Sequence, residues 1–190
     1  KSRRKNLENY VLKILNELTQ NAEKIEMEQI LIFLEEIKKA KHIFLLGAGR
    51  SGIAIQAFAN RLMHLGFKVS LVGEISSPHS QPGDLLIICS GSGETESLKS
   101  LAKKAVESDV TIGLITMKGD STIGKLASSI IVLPGTTKNE NVHHSKEFKQ
   151  PMGSAFEQLA FLTFDSIILN LMDEMEETSE KMFNRHADFE

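Results

Sequence analysis

The sequence predicts an α/β fold: a three-layer sandwich in which a five-stranded parallel sheet, in the flavodoxin-like order 2-1-3-4-5, carries helices on both faces. Three observations carry this expectation. Five short, unbroken apolar runs punctuate the middle of the chain, helical stretches separate most of them, and glycine-rich turns end the first and third runs. An unbroken apolar run reads as a strand buried on both faces, and strands alternating with helices return over the sheet by right-handed crossovers. In this order the winding reverses between strands 1 and 3, so a ligand is expected at their carboxyl ends.

Two amphipathic helical patterns come first. Tyr10, Leu12, Ile14, Leu15 and Leu18 form a broad apolar face, and MEQILIFLEEIKKA repeats the pattern before Lys41. Residues 1–41 are thus a helical preface. The period then changes at HIFLLG (42–47), followed by KVSLVG (68–73), DLLIICS (84–90), TIGLIT (111–116) and SIIVLP (129–134). Helices are expected from Ser51 (SGIAIQAFANRLMHLG), from Glu94 (ETESLKSLAKKAVESD) and, shorter, from Ser121 (STIGKLAS), while SSPHSQPGD joins strands two and three as a loop. These segments make residues 42–134 an α/β core. The polar stretch GTTKNENVHHSKEFKQ has no useful periodicity, after which Pro151, suited to a helix's first turn, opens a long helix to about Met175. SEKMFNRHADFE adds a short helix and tail, so residues 151–190 supply C-terminal helices. No internal repeat, low-complexity linker or second core interrupts the 190 residues, which suit one domain. A chain of this size buries about 70% of the surface its unfolded form exposes.

Composition narrows the partners. A net charge of −3 argues against general nucleic-acid binding and favours a small ligand. No uninterrupted apolar stretch reaches the roughly 18 residues of a membrane span, and KSRRKNLENY lacks the apolar region of a signal peptide. A cytoplasmic protein without a membrane partner is expected. The basic residues Lys1, Arg3, Arg4 and Lys5 read as a solvated helix start rather than an anion contact. Cys89 has no cysteine to pair with, and its place in LLIIC reads as a buried small hydrophobe rather than a reactive thiol.

The glycine-rich turns admit two chemistries. GAGRSG places Gly47, Gly49 and Gly52 in dinucleotide-fingerprint positions, and Glu74 follows the second strand about where an acid would meet ribose hydroxyls. Against that stands SGSGET, which gathers Ser90, Ser92 and Thr95 beside Gly91, Gly93 and Glu94 at the next strand's end. Glycines let backbone N–H groups converge, hydroxyls donate to phosphate oxygens, and the positive end of the following helix stabilises the charge. Helix capping by Ser92 or Thr95 is the competing, purely structural use. Neither turn has the Walker pattern. With the second loop on a phosphate, Gly49 and Ser51 are placed to touch the attached sugar. Arg50 has two readings, neutralising the ligand or forming a loop salt bridge.

GAGRSG, SGSGET and QPMGSAFEQ together resemble the sugar isomerase (SIS) domain family. Within it, RLMHLGF, PMGSAFEQ and the tail RHADFE are most similar to the 6-phospho-3-hexuloisomerases. The likeness runs from about residue 42 to the C-terminus, and the helical preface is compatible with it. It implies a phosphosugar site formed by Ser51 and residues 90–95, Glu157 as the proton-transferring base, and a homotetramer. The implied reaction converts D-arabino-3-hexulose 6-phosphate to fructose 6-phosphate, a step of formaldehyde fixation through the ribulose monophosphate route.

Such a ketose isomerase removes the C2 proton, stabilises a 2,3-enediolate and returns a proton to C3. Glutamate serves as the base when partial burial raises its pKa, and Glu157 falls about two turns into the helix opened by Pro151, beside Phe156. Without the resemblance, a solvated helix carboxylate is the simpler reading. A donor must also polarise the carbonyl, and His64 and His186 are the candidates, each reaching the site of a neighbouring subunit; core or surface hydrogen bonding is their alternative use. The adjacent His143 and His144 lack a convergent carboxylate or cysteine, so no metal is expected, and enediolate chemistry calls for no redox cofactor. Three other readings stay open: a different SIS isomerase such as one acting on arabinose 5-phosphate, a phosphosugar-sensing module without chemistry, and an NAD-binding protein. The preface of about 40 residues leaves little room for the DNA-binding helical domain that usually accompanies such a sensor.

Overall fold

The computed structural model describes residues 8–135, 148–186 and 188, so the basic start, His143 and His144 lie outside the described residues. The helical preface forms α1 (Tyr10–Ala22) and α2 (Met27–Lys39). Asn9 starts α1, its side chain accepting a hydrogen bond from the Val11 amide at 3.1 Å. The core then runs β1 (Ile43–Gly47), α3 (Gly49–His64), β2 (Val69–Leu71), β3 (Leu85–Cys89), α4 (Glu96–Glu107), β4 (Thr111–Thr116) and β5 (Ser129–Val132). The chain ends in α5 (Ser154–Glu174) and α6 (Ser179–Phe183).

All strand pairings are parallel, in the order β2-β1-β3-β4-β5 expected from the sequence. Alternate strand residues feed two cores, as the period-2 geometry of a strand requires. Ile43, Leu45, Leu85, Ile87, Cys89, Ile115 and Ile131 share one core with α1, α2, α3 and α5. Phe44, Leu46, Leu86, Ile88, Ile112 and Leu114 pack with Leu98, Ala102 and Ala105 of α4 in the other. The first core is anchored by Phe58 of α3 stacked on Phe164 of α5, ring centres 4.5 Å apart. Gly113 lets α2 approach the sheet, because a Cβ there would stand 2.7 Å from a ring carbon of Phe33.

Five elements depart from expectation. The second strand covers only Val69–Leu71, which pairs with β1 alone and is half-buried at the sheet edge. The helix expected from Ser121 is a single 3₁₀ turn, Gly124–Leu126. That segment folds back on itself tightly, since a Cβ on Gly124 would sit 2.0 Å from the Gly119 carbonyl oxygen. The third helix starts at Gly49 rather than Ser51 and the fourth at Glu96 rather than Glu94. Pro151 opens a 3₁₀ turn, not the long helix: Met152 (φ 59°) and Gly153 (φ 80°) adopt left-handed conformations, and α5 begins only at Ser154.

By length and composition, Pro151–Glu174 passes for a membrane span, with a mean hydropathy of 1.3 in its most apolar window. Half of that window is buried inside the protein, where Ala155, Phe156, Leu159, Ala160 and Phe164 fill the first core. Core burial accounts for its apolar character.

Candidate active site

A cavity of about 390 Å³ opens at the carboxyl ends of β1 and β3, the switch point of the sheet. Gly49 and Ser51 line it from the first glycine turn, Ser90, Gly91, Ser92 and Thr95 from the second, and Phe156 and Glu157 from the start of α5. The expected ligand position is therefore also where a cavity of small-molecule size forms.

The first turn is built by mutual close approach. A Cβ on Gly47 would lie 2.9 Å from Gly52 Cα, and one on Gly52 would lie 3.0 Å from the Gly47 carbonyl oxygen. These two glycines thus dock the strand end on the helix, while Gly49 supplies the left-handed φ of 57° that turns the chain into α3. Ser51 is buried beside Cys89 at the cavity wall. Burial pushes the Cys89 thiol up to about 12, against the Ser51 hydroxyl, which favours the thiolate, and with the Glu157 carboxylate adding to the rise. The cysteine is the buried hydrophobe the sequence predicts. At pH 8 the folded protein is expected to leave Cys89 unmodified by a thiol reagent and to react only after denaturation, with the absorbance of the released aryl thiolate as the measure.

In the second turn two hydroxyls shape the backbone. Ser90 Oγ accepts from the Gly93 amide and Ser92 Oγ from the Glu94 amide, each at 3.2 Å, so each hydroxyl still has its own proton to donate. Thr95 occupies the N-cap position of α4, yet its side chain makes no capping bond. Capping, the alternative use of Ser92 and Thr95, is therefore not what holds these hydroxyls. Behind the loop, Gly93 has φ 63° and faces Ser121, while Gly91 admits Met117 and Phe156, whose nearest atoms would stand 2.9 and 3.2 Å from a Cβ.

Glu94 is turned out of the cavity. Its carboxylate accepts from the Thr122 amide at 2.6 Å and from the Thr122 hydroxyl at 2.8 Å, with Lys99 at 3.6 Å. The Thr122 hydrogen bonds hold the Glu94 carboxyl below the usual carboxylate range. Its observed work is to tie the loop to the turn at 119–126, a contact across 28 residues that motif reading misses. Gly93 likewise stands behind the lining rather than in it.

Glu157 is 8% exposed and lies in the first turn of α5, because the helix starts three residues after Pro151. The expected position two turns in is corrected accordingly. The positive helix end and Arg50 both face its carboxylate, the Arg50 Nε to Glu157 Oε2 distance being 2.5 Å. Of Arg50's two readings, the salt bridge is the one formed here, with the side chain 61% exposed; Arg50 does not line this cavity but the neighbouring groove between α1, α3 and α5.

His64 and His186 are brought together, but not to Glu157. Their rings stack at 5.0 Å around a separate cavity at the far end of α3, roughly 20 Å from Ser51 by helix rise. His64 is buried, its Nδ1 3.5 Å from Arg61 Nη1, and Arg185 Nη1 donates to its carbonyl oxygen at 3.0 Å while pairing with Glu177. Met117, Met152 and Gly153 complete the catalytic-side cavity and were not singled out in the sequence. Met152 and Gly153 owe their place to the left-handed turn before α5, and Met117 to its amide donating to the Gly91 carbonyl at 3.0 Å, placements that motif spacing does not signal.

Comparisons with known proteins agree with this fold. A family model described as "SIS domain" matches residues 36–162. A 3-hexulose-6-phosphate isomerase of Bacillus subtilis (strain 168) is 45% identical over 95% of this chain and 97% of its own. A 3-hexulose-6-phosphate isomerase of Mycobacterium gastri is 33% identical over 93% and 88%. Among solved structures, a hypothetical protein of Methanococcus jannaschii, for which a molecular function of 3-hexulose-6-phosphate isomerase was inferred, superposes with a TM-score of 0.77 at 32% identity, covering 94% of this chain and 96% of its own. With the family model spanning well over half the chain, and the sheet order and two glycine turns in place, the chain belongs to the SIS domain family.

Proposed function

We propose that the protein isomerises D-arabino-3-hexulose 6-phosphate to fructose 6-phosphate, the step of the ribulose monophosphate route that follows formaldehyde capture. The observation that carries this reading is Glu157, a buried carboxylate in the same cavity as Ser90, Ser92 and Thr95. The full-length relatives that bear the isomerase name support it.

In this reading the 90–95 loop and the N-terminus of α4 hold the phosphate through hydroxyls and backbone N–H groups. Ser51 and Gly49 contact the sugar, and Arg50 leaves Glu157 to neutralise the ligand. Glu157 takes the C2 proton and the C2–H electron pair forms the C2=C3 bond of the enediolate, with the charge on O3; the O2 hydroxyl proton passes to O3, and the same carboxylic acid returns its proton to C3 as O2 closes the C2 carbonyl. A single base on one face accomplishes both transfers. His64 or His186 of a neighbouring copy polarises the carbonyl, because within one chain both stand too far from Glu157.

That assignment requires copies of the chain to associate, as in the homotetramer implied by the family resemblance. Support for assembly comes from an apolar groove of about 520 Å³ between α1, α3 and α5, where Leu15, Ile53, Phe161 and Leu162 are exposed next to the Arg50–Glu157 pair. Light scattering coupled to size exclusion reads the assembly directly.

The activity test supplies 3-hexulose 6-phosphate, made in the assay from ribulose 5-phosphate and formaldehyde, and follows fructose 6-phosphate. Parallel assays use arabinose 5-phosphate as substrate, and calorimetry titrates NAD. Fructose 6-phosphate formation supports the proposal; turnover of arabinose 5-phosphate alone, binding without turnover, or tight NAD binding overturns it.

A further inference from the structure

Glu17 lies in the middle of α1, outside the cavity, and is nonetheless a buried carboxylate. Both its oxygens accept from one donor, the backbone N–H of Gln150, at 3.2 and 3.1 Å. Gln150 is itself buried, and its side-chain amide donates to Gln158 of α5 at 2.8 Å. One residue earlier than Lys149, Phe148 stacks on Tyr10 of α1 at 5.9 Å, with Lys13 over both rings. The first helix thus grips the chain just where it enters the turn ahead of α5.

That turn sets the catalytic geometry. Pro151 follows Gln150 directly, then Met152 at φ 59° and Gly153 at φ 80°, both in the cavity lining, then the first turn of α5 with Phe156 and Glu157. Methionine has no intrinsic preference for a left-handed backbone, so the conformation persists only where neighbouring contacts over-determine it. A charge-assisted hydrogen bond from Glu17 to the residue before the turn is such a contact. The phosphate loop, by contrast, is held from the other side by Ser121 and Thr122 and does not touch Glu17.

We propose that Glu17 is a positioning residue for the isomerisation: by anchoring the Gln150 amide it fixes the Met152–Gly153 turn and so the placement of the Glu157 carboxylate. This rests on the assignment of Glu157 as base. A small misplacement of a catalytic group costs up to about 10²-fold in rate. Glu17→Ala is therefore expected to lower kcat about ten- to hundredfold with KM changed less than about threefold, since the phosphate contacts survive. Glu17→Gln keeps an oxygen to accept the amide and is expected to stay within about twofold of the unsubstituted enzyme. Ile30→Ala, a core truncation on α2, controls for lost stability; it lowers Tm and is expected to leave the kinetics of the folded fraction alone.

The readout independent of activity is the methyl spectrum of ¹³C-methionine protein. Met152 and Met117 both line the cavity, and their signals are expected to shift in Glu17→Ala and not in Glu17→Gln. Should Glu17→Ala fail to fold, Glu17→Leu, which preserves bulk and removes the acceptor, takes its place. Loss of kcat with shifted methyls supports the proposal. A kcat within about twofold of the unsubstituted enzyme, or equal losses in Glu17→Gln and Glu17→Ala, overturns it. Shifted methyls in a protein that turns over no hexulose phosphate leave the turn anchored by Glu17 and overturn the isomerase assignment instead.

Discussion

Glu157→Gln is expected to lower turnover about 10²- to 10⁴-fold, the range for losing a general base, while fructose 6-phosphate still binds within a few-fold. Glutamine keeps the side chain's shape and an acceptor for Arg50 but cannot take a proton. The fold cost is small, because the partner released is an exposed guanidinium rather than a buried one. The hydroxyls proposed to hold the phosphate, those of Ser90, Ser92 and Thr95, belong to the turn after β3 rather than to α5. Two measurements separate chemistry from binding: steady-state kcat, and exchange of the C3 proton of fructose 6-phosphate with deuterated water, followed by NMR. Both are expected to collapse together. Turnover at the unsubstituted rate removes Glu157 from the proton path.

Gly93→Ala carries the largest expected structural effect. The residue sits at φ 63°, where a side chain costs about 1–2 kcal/mol. Its Cβ would stand 2.0 Å from Ser121 Oγ and 2.5 Å from Ser121 Cβ, so rotating the hydroxyl away does not relieve the overlap. Overpacking of this kind adds about 1–3 kcal/mol. A fall in Tm of about 5–15 °C is expected by calorimetry, along with at least tenfold weaker phosphate binding, because the loop must lift off the 119–126 turn. Pairing it with Ser121→Gly is expected to restore the part due to overlap and leave the part due to φ. If the double variant is no more stable than Gly93→Ala, the overlap is not the cause.

Both predictions concern residues whose neighbourhood the sequence reveals only in part. The five strands, their order and the crevice at the ends of strands 1 and 3 were legible because burial on both faces writes an unbroken apolar run into each strand. The two glycine turns were legible for a similarly local reason: tight approach and left-handed backbone leave glycine as the residue that fits. Glu157 had no such signature. As a single carboxylate on an apolar helix it reads as solvated, and family resemblance rather than spacing singled it out.

The sequence by itself determined the sheet, its winding and the two loops that face the crevice, since each follows from periodicity and backbone sterics within a few residues. What lies across the crevice was decided only by the tertiary structure. The start of α5 is displaced to Ser154 by a left-handed turn, and the residue ahead of that turn, Gln150, is bonded to Glu17 of α1 across 133 residues. Glu94 is drawn from the ligand side to Thr122, and His64 and His186 meet at the far end of α3 rather than beside Glu157. The physical reason is common to all three: the partners are distant in sequence. Local pattern specifies what a segment is, and long-range hydrogen bonds and packing specify where its side chains point.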